Sequence, residues 1–425
     1  MAGGGLSEAA EPGKKGAAPP RPARRARDAL VFAAGVAAAM RAVALLDPAS
    51  SVLAPGRGGG LVALPVPGPA DGPRTFYDDP ELSYAVGGRR AAGWDWDAKR
   101  AAWLRSRGLG GGRRRPERVV MNKVDYCRLH GVELLYNTAL LEPSMVAYWA
   151  KLPAVRAAML AHAEAEWVWW VDADAVFTDM DFSLPLRRYA AYNLVLYGWP
   201  VEVYERRRWL GLNAGVFLIR NCQWSLDLLD AWARMGPASP DHAAWGRTIK
   251  AALSDRDSDV ACDQSALAYL LLTGRERWGG KTYLGTDFFF QGYFAEIVGR
   301  LGGVAARYEA AERAAGPGVR RRHAEREHLA YAAARNAAVR AAVPGPDGGG
   351  QSGWRRPFVT HFMGCNPCGG RRNPMYSREL CDGGMHRALG FADDQVLRAY
   401  GFRHAAPLND TVVPLPFDYP AARSR

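Results

Sequence analysis

The chain has 425 residues, 48% of them hydrophobic and 11% aromatic, which allows one large or two smaller globular domains and excludes a wholly disordered protein. Its net charge is +12, but only seven of the 55 basic residues are lysines, and arginines are scattered through Ala/Gly-rich segments without interleaved aromatics. This pattern argues against nucleic acid as a partner.

The amino-terminal part of the sequence predicts a membrane anchor. Residues 1–28 form a basic, Gly/Ala/Pro-rich tail that we expect to be disordered and cytosolic. Residues 29–46 are an apolar segment, interrupted by Arg41, at the lower limit of length for a membrane span. Because basic residues precede it, we predict a single-pass signal anchor with the carboxy-terminal part in the lumen. A cleaved signal peptide and an amphipathic helix are the alternatives.

Regular structure is predicted mainly after residue 116. Residues 47–115 are interpreted as stem and linker, with a short ordered block near 75–104. Beyond it, strands and helices alternate, which predicts an α/β domain over residues 116–425 with a mainly parallel sheet and helices on both faces. The predicted strands are 119–121, 132–136, 167–171, 193–197, 215–219 and 358–362; the predicted helices are 122–130, 144–161, 225–235, 263–273 and a solvated excursion at 308–342.

Two carboxylates at the end of one predicted strand are the main chemical signal. The apolar run at residues 167–171 leads directly into Asp172 and Asp174, which are separated by one small residue. If the backbone stays extended, both side chains point to the same face and can meet one cation. A buried strand with acidic residues at its carboxyl end is the usual site layout in open α/β sheets. Turns, caps and solvated loops are the commoner explanations of such a pair.

Cysteines and one sequon bear on the cellular compartment. The six cysteines include three near the carboxyl terminus, Cys365, Cys368 and Cys381. A zinc site is one explanation, but no second Cys-x-x-Cys is present, so one or two structural disulfides in an oxidising lumen fit better. Asn409 begins an Asn-Asp-Thr sequon, which can be glycosylated only if the carboxyl terminus is lumenal.

Four blocks of sequence stand out in chain order: WVWWVDADAVFTDM at residues 167–180, LNAGVFLIRNCQWS at 212–225, DQSAL at 263–267 and THFMGCNPC at 360–368. Together they resemble glycosyltransferase family 34, a family of plant Golgi enzymes that decorate cell-wall polysaccharides. The resemblance implies a GT-A fold, a nucleotide-sugar donor, Mn²⁺, retention of anomeric configuration and a type II Golgi membrane anchor.

Within that family the chain is more similar to the galactomannan galactosyltransferases than to the xyloglucan xylosyltransferases. The similarity lies in residues 75–84, 211–217 and 320–325. It implies UDP-galactose as donor and a β-mannan backbone as acceptor, with UDP-xylose and xyloglucan as the alternative. Association with itself or with other family members is a further expectation.

The resemblance also assigns a ligand set. It implies that Asp172 and Asp174 bind Mn²⁺ and the donor diphosphate, with His361 as the remaining protein ligand. Carboxylate oxygen and imidazole nitrogen suit this ion chemically. Without the resemblance, His361 on an apolar strand would be interpreted as a core histidine.

Further residues match positions that face the sugar. Asp263 and Gln264 are expected to position the reacting sugar or stabilise charge, Asn213 to bind sugar hydroxyls, and Asn366 to lie near the diphosphate. Retention is compatible with a covalent glycosyl-enzyme, as in retaining glycosidases, or with front-face attack in which the leaving phosphate takes the acceptor proton. The resemblance favours front-face attack.

The sequence departs from the family in one important place. Family members have a nucleotide-cradling loop between the first strand and the helix, and here Met121 runs directly into Asn122. A crossover between parallel strands needs at least about 10–12 residues, so no room is left for that loop. Cys262 and Asn366 also replace residue types that the family usually has. Two alternatives to an active enzyme follow: an inactive scaffold that binds active relatives, and a gene model or splice form lacking one exon.

Overall fold

The computed structural model describes residues 30–35, 61–64, 114–137, 139–314, 356–367, 372–400, 402–406 and 412–414. The strands are β1 (Leu30–Gly35), β2 (Leu61–Leu64), β3 (Glu133–Asn137), β4 (Trp167–Asp172), β5 (Ala175–Phe177), β6 (Leu194–Gly198), β7 (Leu212–Arg220), β8 (Thr282–Gly285), β9 (Gly292–Tyr293), β10 (Val359–His361), β11 (Phe402–His404) and β12 (Val412–Pro414). The helices are α1 (Arg114–His130), α2 (Lys151–Ala161), α3 (Pro200–Tyr204), α4 (Gln223–Ala233), α5 (His242–Ala252), α6 (Asp263–Thr273), α7 (Phe294–Ile297), α8 (Leu301–Ala314) and α9 (Gly384–Tyr400).

The large sheet has the order β2-β3-β1-β4-β7-β6-β8. Strands β3, β1 and β4 run parallel, as do β6 and β8, whereas β2 pairs antiparallel with β3, and β7 pairs antiparallel with both β4 and β6. The expectation of a mainly parallel sheet is therefore wrong, because the sheet is mixed. Strand β7 follows β6 without crossing to the other end of the sheet, and such a connection yields an antiparallel pair.

Both faces of the large sheet are covered, as predicted. Along β4, Trp167, Trp169 and Val171 enter a core that includes residues of α1 and α9, whereas Val168 and Trp170 enter a second core built with α2, α4 and α6. This division follows from the period of two in a strand. Because every residue from 167 to 171 is buried, the run is continuously apolar rather than alternating.

A second, three-stranded sheet lies next to the end of β4. Strand β10 pairs antiparallel with β5 and parallel with β9, so the chain near residue 360 returns to the segment directly after Asp172. A disulfide between Cys365 and Cys381 joins the loop after β10 to the π-helical turn Glu379–Gly383, which leads into α9. It confirms that at least one structural disulfide forms; Cys368 lies outside the described residues.

The strand predicted at residues 119–121 is wrong, because these residues belong to α1. From Val119 to Cys127 every residue except Val124 is buried, so the helix packs against the protein on more than one side. The physical reason is that no residues stand between Met121 and Asn122 that could form a turn. A strand ending at Met121 could therefore not be followed by a helix beginning at Asn122, and one continuous helix forms instead. Helix α1 then reaches β3 through Gly131 in a left-handed turn and Val132.

Residues 30–35 lie inside the predicted anchor and pair as β1 between β3 and β4. The rest of the predicted anchor, residues 36–46, lies outside the described residues, so the anchor stays a prediction. None of the helices in the described ranges combines the length and apolar character required to cross a bilayer. The rest of the helical excursion after Ala314, the stem block near 75–104 and Asn409 are also outside the described residues.

Candidate active site

The three proposed ligands Asp172, Asp174 and His361 come together where the two sheets meet. One carboxylate or imidazole atom from each lies within 4.8 Å of the others. Asp172 ends β4, Asp174 precedes β5, and His361 is at the end of β10, where it pairs with Ala175. The antiparallel pairing of β10 with β5 therefore delivers the histidine to the carboxylates, although 187 positions separate His361 from Asp174.

Hydrogen bonds fix the orientation of each ligand. The indole N–H of Trp170 donates to Oδ1 of Asp172 at 2.6 Å, and Nε2 of His361 lies 2.9 Å from Oδ1 of Asp174 and 3.8 Å from Oδ2 of Asp172. Although burial opposes the charged forms, the close contact with Asp174 raises the pKa of His361, and His361 lowers the pKa of Asp174. Each of these two groups therefore stabilises the charged form of the other.

Gly215 provides the space in which His361 sits. A Cβ atom at this position on β7 would lie 2.8 Å from Oδ2 of Asp172 and 2.9 Å from Nδ1 of His361. No ordinary Cβ tolerates both contacts. Two carboxylates and one imidazole in a cradle of this kind fit a divalent cation of the Mn²⁺ or Mg²⁺ class.

A buried lysine connects Asp172 to Asp263. Lys151, only 3% exposed, lies 2.7 Å from Oδ2 of Asp263 and 3.3 Å from Oδ1 of Asp172, and it donates to the carbonyl of Ala214 at 2.9 Å. Burial disfavours its ammonium form, but the two carboxylates outweigh burial and raise the pKa of Lys151. Burial in turn raises the pKa of Asp263, against the opposing effect of Lys151.

The other predicted residues lie around this centre in supporting positions. The side chain of Asn213 accepts from the N–H of Gly215 at 2.7 Å, and Gln264 bridges the backbone of Ala214 and Trp209 at 3.3 Å each. Asn366 lies on the loop after β10 with a positive φ of 48°. None of these contacts tests their expected roles towards a sugar or diphosphate, which stay predictions.

Cys262, rather than Asp263, caps helix α6. Its side chain accepts from the backbone N–H of Ser265, and the Ser265 hydroxyl accepts from the backbone N–H of Cys262. This reciprocal cap frees the Asp263 carboxylate to face Lys151 inside the protein. Asp263 is therefore the first residue of the helix and not its cap.

Sequence reasoning missed three residues: Lys151, Gly215 as the cradle of His361, and Gln291, whose amide nitrogen lies 2.5 Å from Nδ1 of His361. Lys151 could have been found, because it stands next to an otherwise apolar helical face and lysine is rare in this chain. Gln291 had no signal, since its contact depends on the parallel pairing of β9 with β10.

Comparison with known proteins places the chain among glycosyltransferases. Residues 112–372 match the family model of glycosyltransferase family 34, described as the galactosyl transferase GMA12/MNN10 family. The chain is 60% identical to probable glycosyltransferase 6 of Oryza sativa subsp. japonica, over 94% of this chain and 93% of the relative. It is 45% identical to galactomannan galactosyltransferase 1 of Cyamopsis tetragonoloba, over 82% of each chain. A solved glycosyltransferase involved in glycosylation of the major capsid of PBCV-1 is 13% identical, with a TM-score of 0.27 over 40% of this chain and 74% of that chain.

Proposed function

Because the chain belongs to the galactosyl transferase GMA12/MNN10 family, it is a glycosyltransferase, and we propose that it transfers galactose from UDP-galactose to a cell-wall β-mannan backbone with retention, using Mn²⁺. The observation that carries the proposal is the convergence of Asp172, Asp174 and His361 beside the Lys151–Asp263 pair. The relative named galactomannan galactosyltransferase 1 supports this donor and acceptor over UDP-xylose and xyloglucan.

The side chains at the centre divide into two groups with different tasks. Asp172, Asp174 and His361 would hold the cation, which when bound would supply Lewis-acid stabilisation of charge on a departing diphosphate. Lys151 lies between Asp172 and Asp263 and forms an ion pair with each of them. This arrangement keeps the ligands ready before the donor arrives, so little reorganisation is needed during the reaction.

The pairing of Asp263 supports front-face attack over a covalent intermediate. Its carboxylate is 5% exposed and lies 2.7 Å from Lys151, so one oxygen is committed to an ion pair rather than free to attack a sugar. In the front-face route the acceptor hydroxyl gives its proton to the leaving phosphate, and the enzyme needs to position the two sugars. We assign that positioning to Asp263, Gln264 and Asn213.

We also propose a Golgi location with the catalytic domain in the lumen and a single-pass type II anchor. The disulfide between Cys365 and Cys381 supports an oxidising compartment. The sequon at Asn409 is in agreement with a lumenal carboxyl terminus. The apolar segment at residues 29–46 supports the anchor by its sequence alone, because residues 30–35 pair as β1 in the large sheet. Protease protection of the carboxy-terminal domain in microsomes tests it, and digestion without detergent would contradict it.

The activity is tested with the purified full-length chain, Mn²⁺ and a matrix of two donors and two acceptors. UDP-galactose with manno-oligosaccharide is expected to give product, and UDP-xylose with cello-oligosaccharide is the competing arm. Chelation and the Asp174→Asn variant should each abolish transfer, whereas Asp259→Asn, at an exposed ion pair with Lys250, should not. No transfer from any UDP-sugar would overturn the proposal.

One observation favours a second candidate, an inactive scaffold that associates with active relatives. Helix α1 continues across Met121 and Asn122, so the chain has no nucleotide-binding loop at that point. The alignment with the rice relative extends over 456 positions, more than the 425 residues of this chain, so the relative carries residues that this chain lacks. UDP binding at micromolar concentration would argue against the scaffold. Sequencing the transcript across Met121–Asn122 decides whether an exon is missing from the sequence.

A further inference from the structure

The ring of His361 has one partner on each nitrogen. Nε2 faces Asp174, whereas Nδ1 lies 2.5 Å from the amide nitrogen of Gln291. Gln291 immediately precedes β9, which pairs in parallel with β10 through Tyr293 and His361. It is 2% exposed, so its amide has no access to solvent that could replace this contact.

The amide oxygen of Gln291 is buried and, within the part of the chain that the structure describes, makes no hydrogen bond. A buried acceptor without a partner lowers the stability of the folded state by about 1–3 kcal/mol, so its presence requires a structural or functional explanation. The oxygen and nitrogen of an amide have nearly the same shape, and a half turn about the last torsion exchanges them.

The two orientations of this amide suit two tautomers of His361. When the NH₂ group of Gln291 donates to Nδ1, the ring proton is on Nε2 and can bind Asp174. When Nε2 gives its lone pair to a cation, Nδ1 carries the proton and needs an acceptor. The described neighbours of the ring place only Gln291 at Nδ1, because Asp172 and Asp174 lie on the Nε2 side.

We propose that Gln291 is a positioning residue of the metal centre, which selects the tautomer of His361 by turning its amide. Its oxygen accepts from Nδ1–H when Nε2 binds a divalent cation, and its nitrogen donates to Nδ1 when Nε2–H binds Asp174. A glutamine can partner both states, whereas an acceptor-only or apolar side chain partners one or neither. The inference rests on the proposed metal centre and adds a residue to it.

The test measures Mn²⁺ affinity of the full-length chain by isothermal titration calorimetry. Gln291→Met keeps the length of the side chain but removes both hydrogen-bonding ends, and we expect it to weaken binding by ~10–100-fold. Gln291→Glu keeps an acceptor oxygen for Nδ1–H and should bind at least as tightly as the wild type. The control is Gln395→Met, since Gln395 is also buried and hydrogen-bonded to Thr178 and Phe391 but lies away from the centre.

A spectroscopic measurement separates tautomer selection from simple loss of packing. Ring ¹⁵N shifts of labelled histidine, with His361 assigned through its absence in His361→Asn, should show Nδ1 protonated and Nε2 ligated on addition of diamagnetic Cd²⁺. In Gln291→Met the ring should stay mainly protonated at Nε2 at the same Cd²⁺ concentration.

The outcomes separate this proposal from the one on which it rests. If the wild type does not bind Mn²⁺, the metal centre and the role of Gln291 fall together. If the wild type binds and Gln291→Met binds within twofold of it, only the role of Gln291 is wrong. Equal weakening by Gln395→Met and Gln291→Met would also overturn it, because the effect would then be general destabilisation.

Discussion

The ring of His361 occupies the space beside Gly215 in which any other residue would carry its Cβ atom. A Cβ there would lie 2.9 Å from Nδ1 of His361 and 2.8 Å from a carboxylate oxygen of Asp172. We expect Gly215→Ala to displace two ligands at once and to lower both Mn²⁺ affinity and transfer rate at least tenfold. Calorimetry and a transfer assay on the same preparation measure the two effects.

The matched control for that substitution is Gly299→Ala, because a Cβ at Gly299 meets nothing within 4 Å. It should leave affinity and rate unchanged. A Gly215→Ala protein with wild-type affinity would show that the ligands can move aside, which would contradict the fit of the cradle.

The buried pair of Lys151 and Asp263 predicts a strong, non-additive effect on stability. Lys151→Met leaves the buried carboxylate of Asp263 and the half-buried carboxylate of Asp172 without their cation, which we expect to cost about 3–5 kcal/mol of unfolding free energy. Adding Asp263→Asn removes one of these charges and should recover part of the loss. Urea unfolding of the single and double variants measures the coupling.

A surface lysine provides the comparison for the buried one. Lys250 forms an exposed ion pair with Asp259, and Lys250→Met should lower the unfolding free energy far less than Lys151→Met does. If Lys151→Met costs as little, or if the two substitutions at the buried pair are additive, the pair does not hold the site together as the distances indicate.

His130 predicts an acid-sensitive contribution to stability. Burial lowers the pKa of His130, against the opposing effects of the Met180 carbonyl and Asp181. The unfolded chain therefore binds a proton more readily than the folded one, so this contribution to stability is present above about pH 6.5 and is lost as the pH falls below it.

Replacing the histidine tests this sign. In His130→Gln the unfolding free energy should fall less between pH 7.5 and 5.5 than in the wild type. His162→Gln is the control, since the ring of His162 interacts with an exposed glutamate at a helix end. A wild-type slope in His130→Gln would contradict the assignment.

The disulfide predicts a third, independent loss of stability. Cys365 and Cys381 are 16 positions apart. Loss of a cross-link that closes a loop of this size lowers the unfolding free energy by about 3 kcal/mol, because the unfolded chain gains conformational entropy. We expect Cys381→Ser to lose about that amount in thermal or urea unfolding. Cys222→Ser, at a free cysteine, should lose much less.

Elements with their own local pattern could be predicted from sequence. Strand β4 is a continuous apolar run, and helix α6 begins and ends at the residues expected, 263 and 273. The strand expected at residues 119–121 is helical, because short apolar runs fit either structure and only the surroundings decide.

The three residues proposed as ligands were named from the sequence and converge in the structure, whereas the residues that contact them were missed. Asp172 and Asp174 form a local motif, and His361 came with the family resemblance. Lys151 and Gln291 reach the centre only through α2 and through the pairing of β9 with β10. Contacts between residues distant in the chain leave no periodic trace in one sequence, so the role of Gln291 could be seen only in the structure, whereas the rarity of lysine in the chain was a signal for Lys151.

The ligand geometry has a consequence for the integrity of the whole domain. Asp172 closes a strand of the large sheet, whereas His361 belongs to the small one, and 187 residues separate that histidine from Asp174. A cation bound by all three is therefore a removable cross-link between distant parts of the chain. The same ion that prepares a donor for reaction would fasten the small sheet to the large one, and its withdrawal would loosen the chain where the two sheets join.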